Sequence, residues 1–190
     1  MQYLLELPDK KLKIYYNKKV YSPEYSAVDT ILVADKAIQG AAIRVLDVGC
    51  GSGVVGLGIK ALNPQIKLFA SDIDSEAVRI TRLNGKRLGL EVETFKEDLA
   101  PGGWDMIVAN LPTYDQEQMD KFELHGPESA YFGEGATLYG ELFEQAKCKV
   151  LVCECQAKHQ KEFLELAEAL GWELILSTEM AFAFIQATSK

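Results

Sequence analysis

Apolar positions along this chain fall into two alternating kinds of segment. Short continuous runs at 43–48, 66–71, 105–109 and 150–154 have the length and branched side chains of buried strands. Between and after them, apolar residues recur at helical spacing. Helices are predicted over about 53–62, ending at Asn63-Pro64, and over Ser75 to Leu88, Leu138 to Lys147 and Lys158 to Leu170. Ser75 reads as the N-cap of the second and Gly89 as its stop. In the last, Phe163, Leu166, Ala167 and Leu170 share one face before Gly171. A weaker strand covers Val92 to Phe95, and Trp172–Ser177 and Met180–Ala187 form two final strands that a short turn pairs antiparallel. Such alternation predicts an α/β fold with a doubly wound sheet, mostly parallel and with an antiparallel C-terminal strand.

Residues 1–40 have a different rhythm. Tyr3–Leu7 and Leu12–Tyr16 are short β-like runs about the polar Pro8-Asp9-Lys10-Lys11, which predicts a hairpin. Val28, Ile31, Leu32 and Ala34 then recur at helical spacing up to Gly40. We read 1–40 as a hairpin and a helix capping a ligand crevice, and 41–190 as the main domain.

The chemistry begins where the first strand of that domain ends, in Val45-Leu46-Asp47-Val48-Gly49-Cys50-Gly51-Ser52-Gly53. A strand that breaks into glycines and restarts as a helix points unpaired N–H groups and a partial positive charge into the gap, a seat for an anionic part of a ligand. Gly51 to Gly56 also satisfies the dinucleotide pattern G-x-G-x-x-G, with Asp72 following at the expected interval. Asp47, two residues before the first glycine, disfavours that reading, because an acid there suits a cationic amino group and would repel a pyrophosphate.

Composition narrows the classes. The formal net charge of −8 and the scattered Lys and Arg argue against a nucleic-acid partner. No apolar stretch approaches membrane-spanning length, and the start Met1-Gln2-Tyr3-Leu4-Leu5-Glu6 lacks the pattern of a signal peptide, so a cytoplasmic protein without a membrane partner is expected. Cys50, Cys148, Cys153 and Cys155 include no C-x-x-C pair, and His125 is far from them in sequence. They are expected to be reduced core residues, with no metal.

Downstream, the strand Met106-Ile107-Val108-Ala109 ends in Asn110-Leu111-Pro112-Thr113, which hydride transfer does not explain. With the glycine bend and its acids, this stretch resembles the class I S-adenosylmethionine-dependent methyltransferases, and in particular the N-P-P-Y motif of enzymes that methylate amino or amide nitrogens. Leu111 stands for the first proline, and Thr113 for the aromatic that stacks on a flat acceptor, with Tyr114 one residue on. The resemblance is nearest to the HemK-like methyltransferases and covers about residues 20 to 187. It also rests on Val20-Tyr21-Ser22-Pro23 followed by Asp29-Thr30, on Ser75-Glu76-Ala77-Val78 with Asn84, and on Gly126-Pro127-Glu128-Ser129-Ala130 with Gly133 to Tyr139.

That resemblance implies a Rossmann-like methyltransferase sheet, S-adenosylmethionine as cofactor, and a protein acceptor, a glutamine amide of a translation factor. It implies that Asp47, Gly49, Gly51 and Gly53 hold the methionine end, Asp72 the ribose and Ile73 the adenine, with Asp98 and Leu99 near the adenine amino group. Asn110, the Leu111 carbonyl and Pro112 form the catalytic segment, and Thr113 and Tyr114 face the acceptor. Methylation of an adenine amino group in RNA shares these motifs but needs a basic groove. A methyltransferase fold that keeps the cofactor, has lost turnover through Thr113 and serves as a partner subunit is the third alternative.

Overall fold

The computed structural model describes residues 1–20, 22, 23, 27–41, 43–99, 102–121, 133 and 136–187. Tyr21, the stretch from Glu24 to Ser26, His125 and Gly126-Pro127-Glu128-Ser129-Ala130 lie outside the described residues.

Strands β1 (Gln2–Leu7) and β2 (Lys10–Tyr15) form an antiparallel hairpin around Pro8-Asp9, and α1 (Val28–Ile38) follows. The main sheet then builds from β3 (Arg44–Val48), β4 (Lys67–Asp72), β5 (Glu93–Lys96), β6 (Gly103–Ala109), β7 (Lys147–Glu154), β8 (Trp172–Ser177) and β9 (Ala181–Gln186). Its order is β5-β4-β3-β6-β7-β9-β8, with β9 antiparallel to both neighbours and every other pairing parallel. Helices α2 (Val54–Leu62), α3 (Ser75–Leu88), α4 (Gln116–Lys121), α5 (Thr137–Gln145) and α6 (Gln160–Ala169) complete the fold. This is the predicted doubly wound sheet.

The alternation of side chains along the central strands divides the core in two. Val45, Met106, Val108 and Val152 pack under α1 and α2, in one cluster with Leu5, Leu7 and Ile14 of the hairpin. Leu46, Ile107, Leu151 and Cys153 point the other way, into Tyr139, Leu142, Phe143 and Phe163 of α5 and α6. The hairpin therefore adds to the core of the sheet. Among the described residues no helix is long and apolar enough to cross a membrane. The four cysteines are free, with Cys50, Cys153 and Cys155 buried.

Several boundaries differ from expectation. The N-cap of α3 is Asp74, whose carboxylate accepts the Glu76 N–H at 2.8 Å, so Ser75 is already helical. Gly89 does close α3, at φ 67°. Helix α5 ends at Gln145 and β7 starts at Lys147, earlier than the apolar run suggests, because the start of the strand carries the exposed Lys147 and Lys149 ahead of its buried run. A 3-10 turn at Ala157–His159 delays α6 to Gln160. Helix α4 carries no buried residue, so no hydrophobic period announces it.

Candidate active site

The glycine bend follows β3 directly, with Gly49, Gly51 and Gly53 at φ 66°, 52° and 78°. Two side chains from elsewhere shape it. Asp72, at the end of β4, accepts the Gly51 N–H at 3.0 Å through one oxygen and the Asp74 N–H at 2.9 Å through the other. Asn84, fully buried in α3, donates to the Ser52 carbonyl at 2.8 Å and to the Tyr15 carbonyl at 2.7 Å. The hairpin, the bend and α3 are thus tied at one residue. A side chain at Gly49 would begin 3.0 Å from Leu111 Cδ2, so the bend and the Asn110 segment pack against each other.

Asp47 is 2% exposed and its Oδ2 accepts the Gly56 N–H of α2 at 2.9 Å. A Cβ at Gly56 would come within 2.8 Å of that oxygen, which is why the third glycine of the dinucleotide-like pattern is present here. It lets α2 approach the acid. Burial pushes the Asp47 carboxyl from 3.8 up to about 7, the Gly56 N–H pulls it back, and the Asp72 charge adds to the rise. Asp72 is raised as well, first by burial and against the pull of its backbone N–H partners.

Beyond the carboxyl ends of β3, β4, β6 and β7 lies a cavity of about 560 Å³, within the range of small-molecule sites. Asp47, Gly49, Gly51, Asp72, Ile73, Asp98, Leu99 and the whole stretch from Asn110 to Tyr114 line it. Gly53 does not. It sits behind the bend as the residue before α2, where a Cβ would meet Thr81 at 2.9 Å, so its part is in shaping the turn. Ile73 is 59% exposed at the cavity, an apolar surface that a flat ring would cover. Asp98 is exposed, whereas Leu99 is buried at φ 50° with its carbonyl taking the Ser71 hydroxyl at 3.3 Å.

Asn110 follows the last residue of β6, where Ala109 pairs with Cys153, so it lies level with Glu154 of β7. Leu111 and Thr113 are 8% and 5% exposed. The Leu111 N–H donates to the Tyr139 hydroxyl at 2.9 Å, and that hydroxyl donates to the Glu154 carbonyl. Glu154 lines the cavity, and its Oε2 accepts the Thr30 hydroxyl at 2.6 Å. Also lining the cavity, Gln156 takes an N–H from Gln118 of α4 at 2.7 Å, and Lys158 pairs with Asp115. Sequence reasoning gave no site role to Glu154 or Gln156, and none to Tyr139 beyond its place in the Gly133 to Tyr139 stretch. Glu154 did carry a signal, being, like Asp72, an acid closing an apolar strand.

Residues 11–125 match the methyltransferase small domain family. The release factor glutamine methyltransferase of Deinococcus radiodurans is 40% identical over 98 residues, 48% of this chain and 35% of that protein. The ribosomal RNA small subunit methyltransferase C of Pasteurella multocida is 34% identical over 107 residues, 55% of this chain and 33% of that protein. The chain thus spans about a third of the length of the curated relatives it matches. The crystal structure of the hMettl16 catalytic domain in complex with MAT2A 3′UTR hairpin 6 shares the fold, with a TM-score of 0.70 and 13% identity over 94% of this chain and 76% of that one.

Proposed function

The chain belongs to the methyltransferase small domain family, and from that premise we propose that it is an S-adenosylmethionine-dependent N-methyltransferase acting on a planar amide or amino nitrogen, with a glutamine side chain of a protein as the acceptor. One observation carries the reading. The bend at Gly49 and Gly51, the acids Asp47 and Asp72, and the Asn110-Leu111-Pro112-Thr113 segment all line a single cavity.

The residues suit the cofactor that the family implies. Asp72 reaches the cavity with a carboxylate able to accept further hydrogen bonds from ribose hydroxyls, and Ile73 offers its apolar face to an adenine. Asp98 and Leu99 border the same region. Asp47, Asp72, Asp74 and Glu154 give the lining an acidic balance suited to a sulfonium and an ammonium. When bound, S-adenosylmethionine supplies a methyl group on a positively charged sulfur. The protein must present a nitrogen whose lone pair is delocalised into a carbonyl or a ring. The Asn110 side-chain oxygen and the Leu111 carbonyl each accept an N–H of that nitrogen, and Pro112 holds the bend that sets them side by side. The lone pair is thereby turned toward the methyl group and the pyramidal form is favoured. Thr113 and Tyr114 border the acceptor.

The acidic lining and the net charge of −8 support a protein over a nucleic-acid acceptor. Tritium-labelled S-adenosylmethionine incubated with cell extract should leave label that protease releases and nuclease does not. Label lost only to nuclease would overturn the protein reading in favour of RNA. For the cofactor, Asp72→Ala is expected to weaken S-adenosylmethionine binding by about 2 kcal/mol, since it removes charge-assisted bonds and loosens the Gly51 turn. Calorimetry reads this directly, and an unchanged affinity would remove Asp72 from the site.

A further inference from the structure

The acceptor segment departs from N-P-P-Y at its second residue, and the structure gives that departure a use. A proline at 111 would fix the backbone by its ring and would have no N–H. Leucine leaves that torsion freer and supplies a donor. The donor is not idle. The Leu111 N–H meets the Tyr139 hydroxyl at 2.9 Å, and the same hydroxyl, whose proton goes to the Glu154 carbonyl, spans the C-terminal ends of β6 and β7. Tyr139 is fully buried, its ring edge-on to Phe163 with centroids 5.0 Å apart, so the hydroxyl cannot swing away. Burial holds the phenol well above its usual range.

A second contact grips the other end of the segment. The Gly133 N–H donates to the Tyr114 carbonyl at 3.1 Å. A Cβ on Gly133 would fall 1.9 Å from the Pro112 carbonyl oxygen and 2.6 Å from its carbon. Those are backbone atoms, so no rotamer change makes room. Both contacts come from beyond residue 125, where the family match ends.

We propose that Tyr139 is a positioning residue for methyl transfer, holding through its hydroxyl the Leu111 backbone that a proline ring would otherwise stiffen, with Gly133 seating the Pro112–Tyr114 end. This rests on the acceptor reading above, because the Leu111 carbonyl is one of the two groups that orient the nitrogen. The role is geometric. Tyr139 does not line the cavity, so cofactor affinity should not depend on it.

The test is a double-mutant cycle on Tyr139→Phe and Leu111→Pro, read by single-turnover transfer of tritium from S-adenosylmethionine to the protein fraction of a cell extract. Cofactor affinity is measured beside it by calorimetry. Tyr139→Phe keeps the ring and its packing, and is expected to slow transfer about tenfold or more while the affinity stays within about twofold. Whatever rate Leu111→Pro alone shows, adding Tyr139→Phe to it should cost little more, because the N–H in question is already gone. A variant that lost rate only through general loosening would show the same loss in both backgrounds, and that result overturns the proposal. So does a Tyr139→Phe protein with the wild-type rate. Gly133→Ala is expected to behave like Tyr139→Phe, and more severely. If the wild type transfers nothing to the protein fraction, the acceptor reading has failed and the positioning role falls with it. An active wild type and an equally active Tyr139→Phe protein defeat this inference alone.

Discussion

Replacing Asn110 with alanine is expected to lower methyl transfer by about 10²–10³-fold while leaving the affinity for S-adenosylmethionine within about threefold. The size follows from what is removed. A preorganised polar group aimed at the charge that develops in a transition state contributes about 3–4 kcal/mol, and the amide at 110 is such a group for a nitrogen giving up its conjugation. The selectivity follows from placement. Asn110 continues β6 on the side of the cavity that meets β7, while the bend and Asp72 belong to β3 and β4. Asn110→Asp should lose less than Asn110→Ala, because the carboxylate still offers an oxygen acceptor. Rates from single-turnover transfer, set beside calorimetric affinities, check both statements. An Asn110→Ala protein with undiminished transfer would end the proposed mechanism. A large loss of affinity without a loss of rate at saturation would move Asn110 to the cofactor side.

How far this site could be read from sequence depended on whether each role is local. The bend, Asp72 and Asn110 were legible because each sits at the end of an apolar run, and a doubly wound sheet gathers such ends along one edge. Glu154 obeys the same rule, one residue beyond the Cys153 that pairs with Ala109. Tyr139 closes one of the stretches that carry the resemblance, but its contact with Leu111 was not legible. Its ring occupies an apolar position of a helix, and nothing in a one-dimensional pattern tells that its hydroxyl reaches an N–H 28 residues earlier. Helix α4 escaped for a different reason, since periodicity reports burial and α4 buries nothing. Gly53 and Asp74 show the limit of motif reasoning at single positions. The glycine belongs to the pattern but faces Thr81, and capping fell to Asp74 rather than Ser75 because its carboxylate reaches the Glu76 N–H.

Asp47 is the residue whose chemistry changed most between sequence and structure. An exposed acid at a strand end would simply await a cationic partner, but this one is enclosed and already accepts the Gly56 N–H. Its cost shows in the carboxyl titrating near 7 instead of 3.8. Between those values the folded chain holds a proton that the unfolded chain has released, so stability must fall as pH rises from about 4 to about 7 and then level off. Below 3.8 both states are protonated and the effect vanishes. Asp47→Asn keeps an oxygen for Gly56 and removes the charge. The unliganded variant is therefore expected to match the wild type near pH 4 and to exceed its stability by up to about 4 kcal/mol at pH 8, measured by urea unfolding. Cofactor binding favours the acid instead. A cationic ligand beside Asp47 favours the carboxylate, so wild-type binding near pH 6.5 should release protons, seen as a binding enthalpy that varies with the ionisation enthalpy of the buffer. Asp47→Asn should lose that dependence and bind about tenfold or more weakly. A variant no more stable than the wild type at pH 8, with unchanged proton release, would mean that the buried acid serves only α2. The expected pair of results would mean that the fold carries an unfavourable charge because the cofactor needs it there.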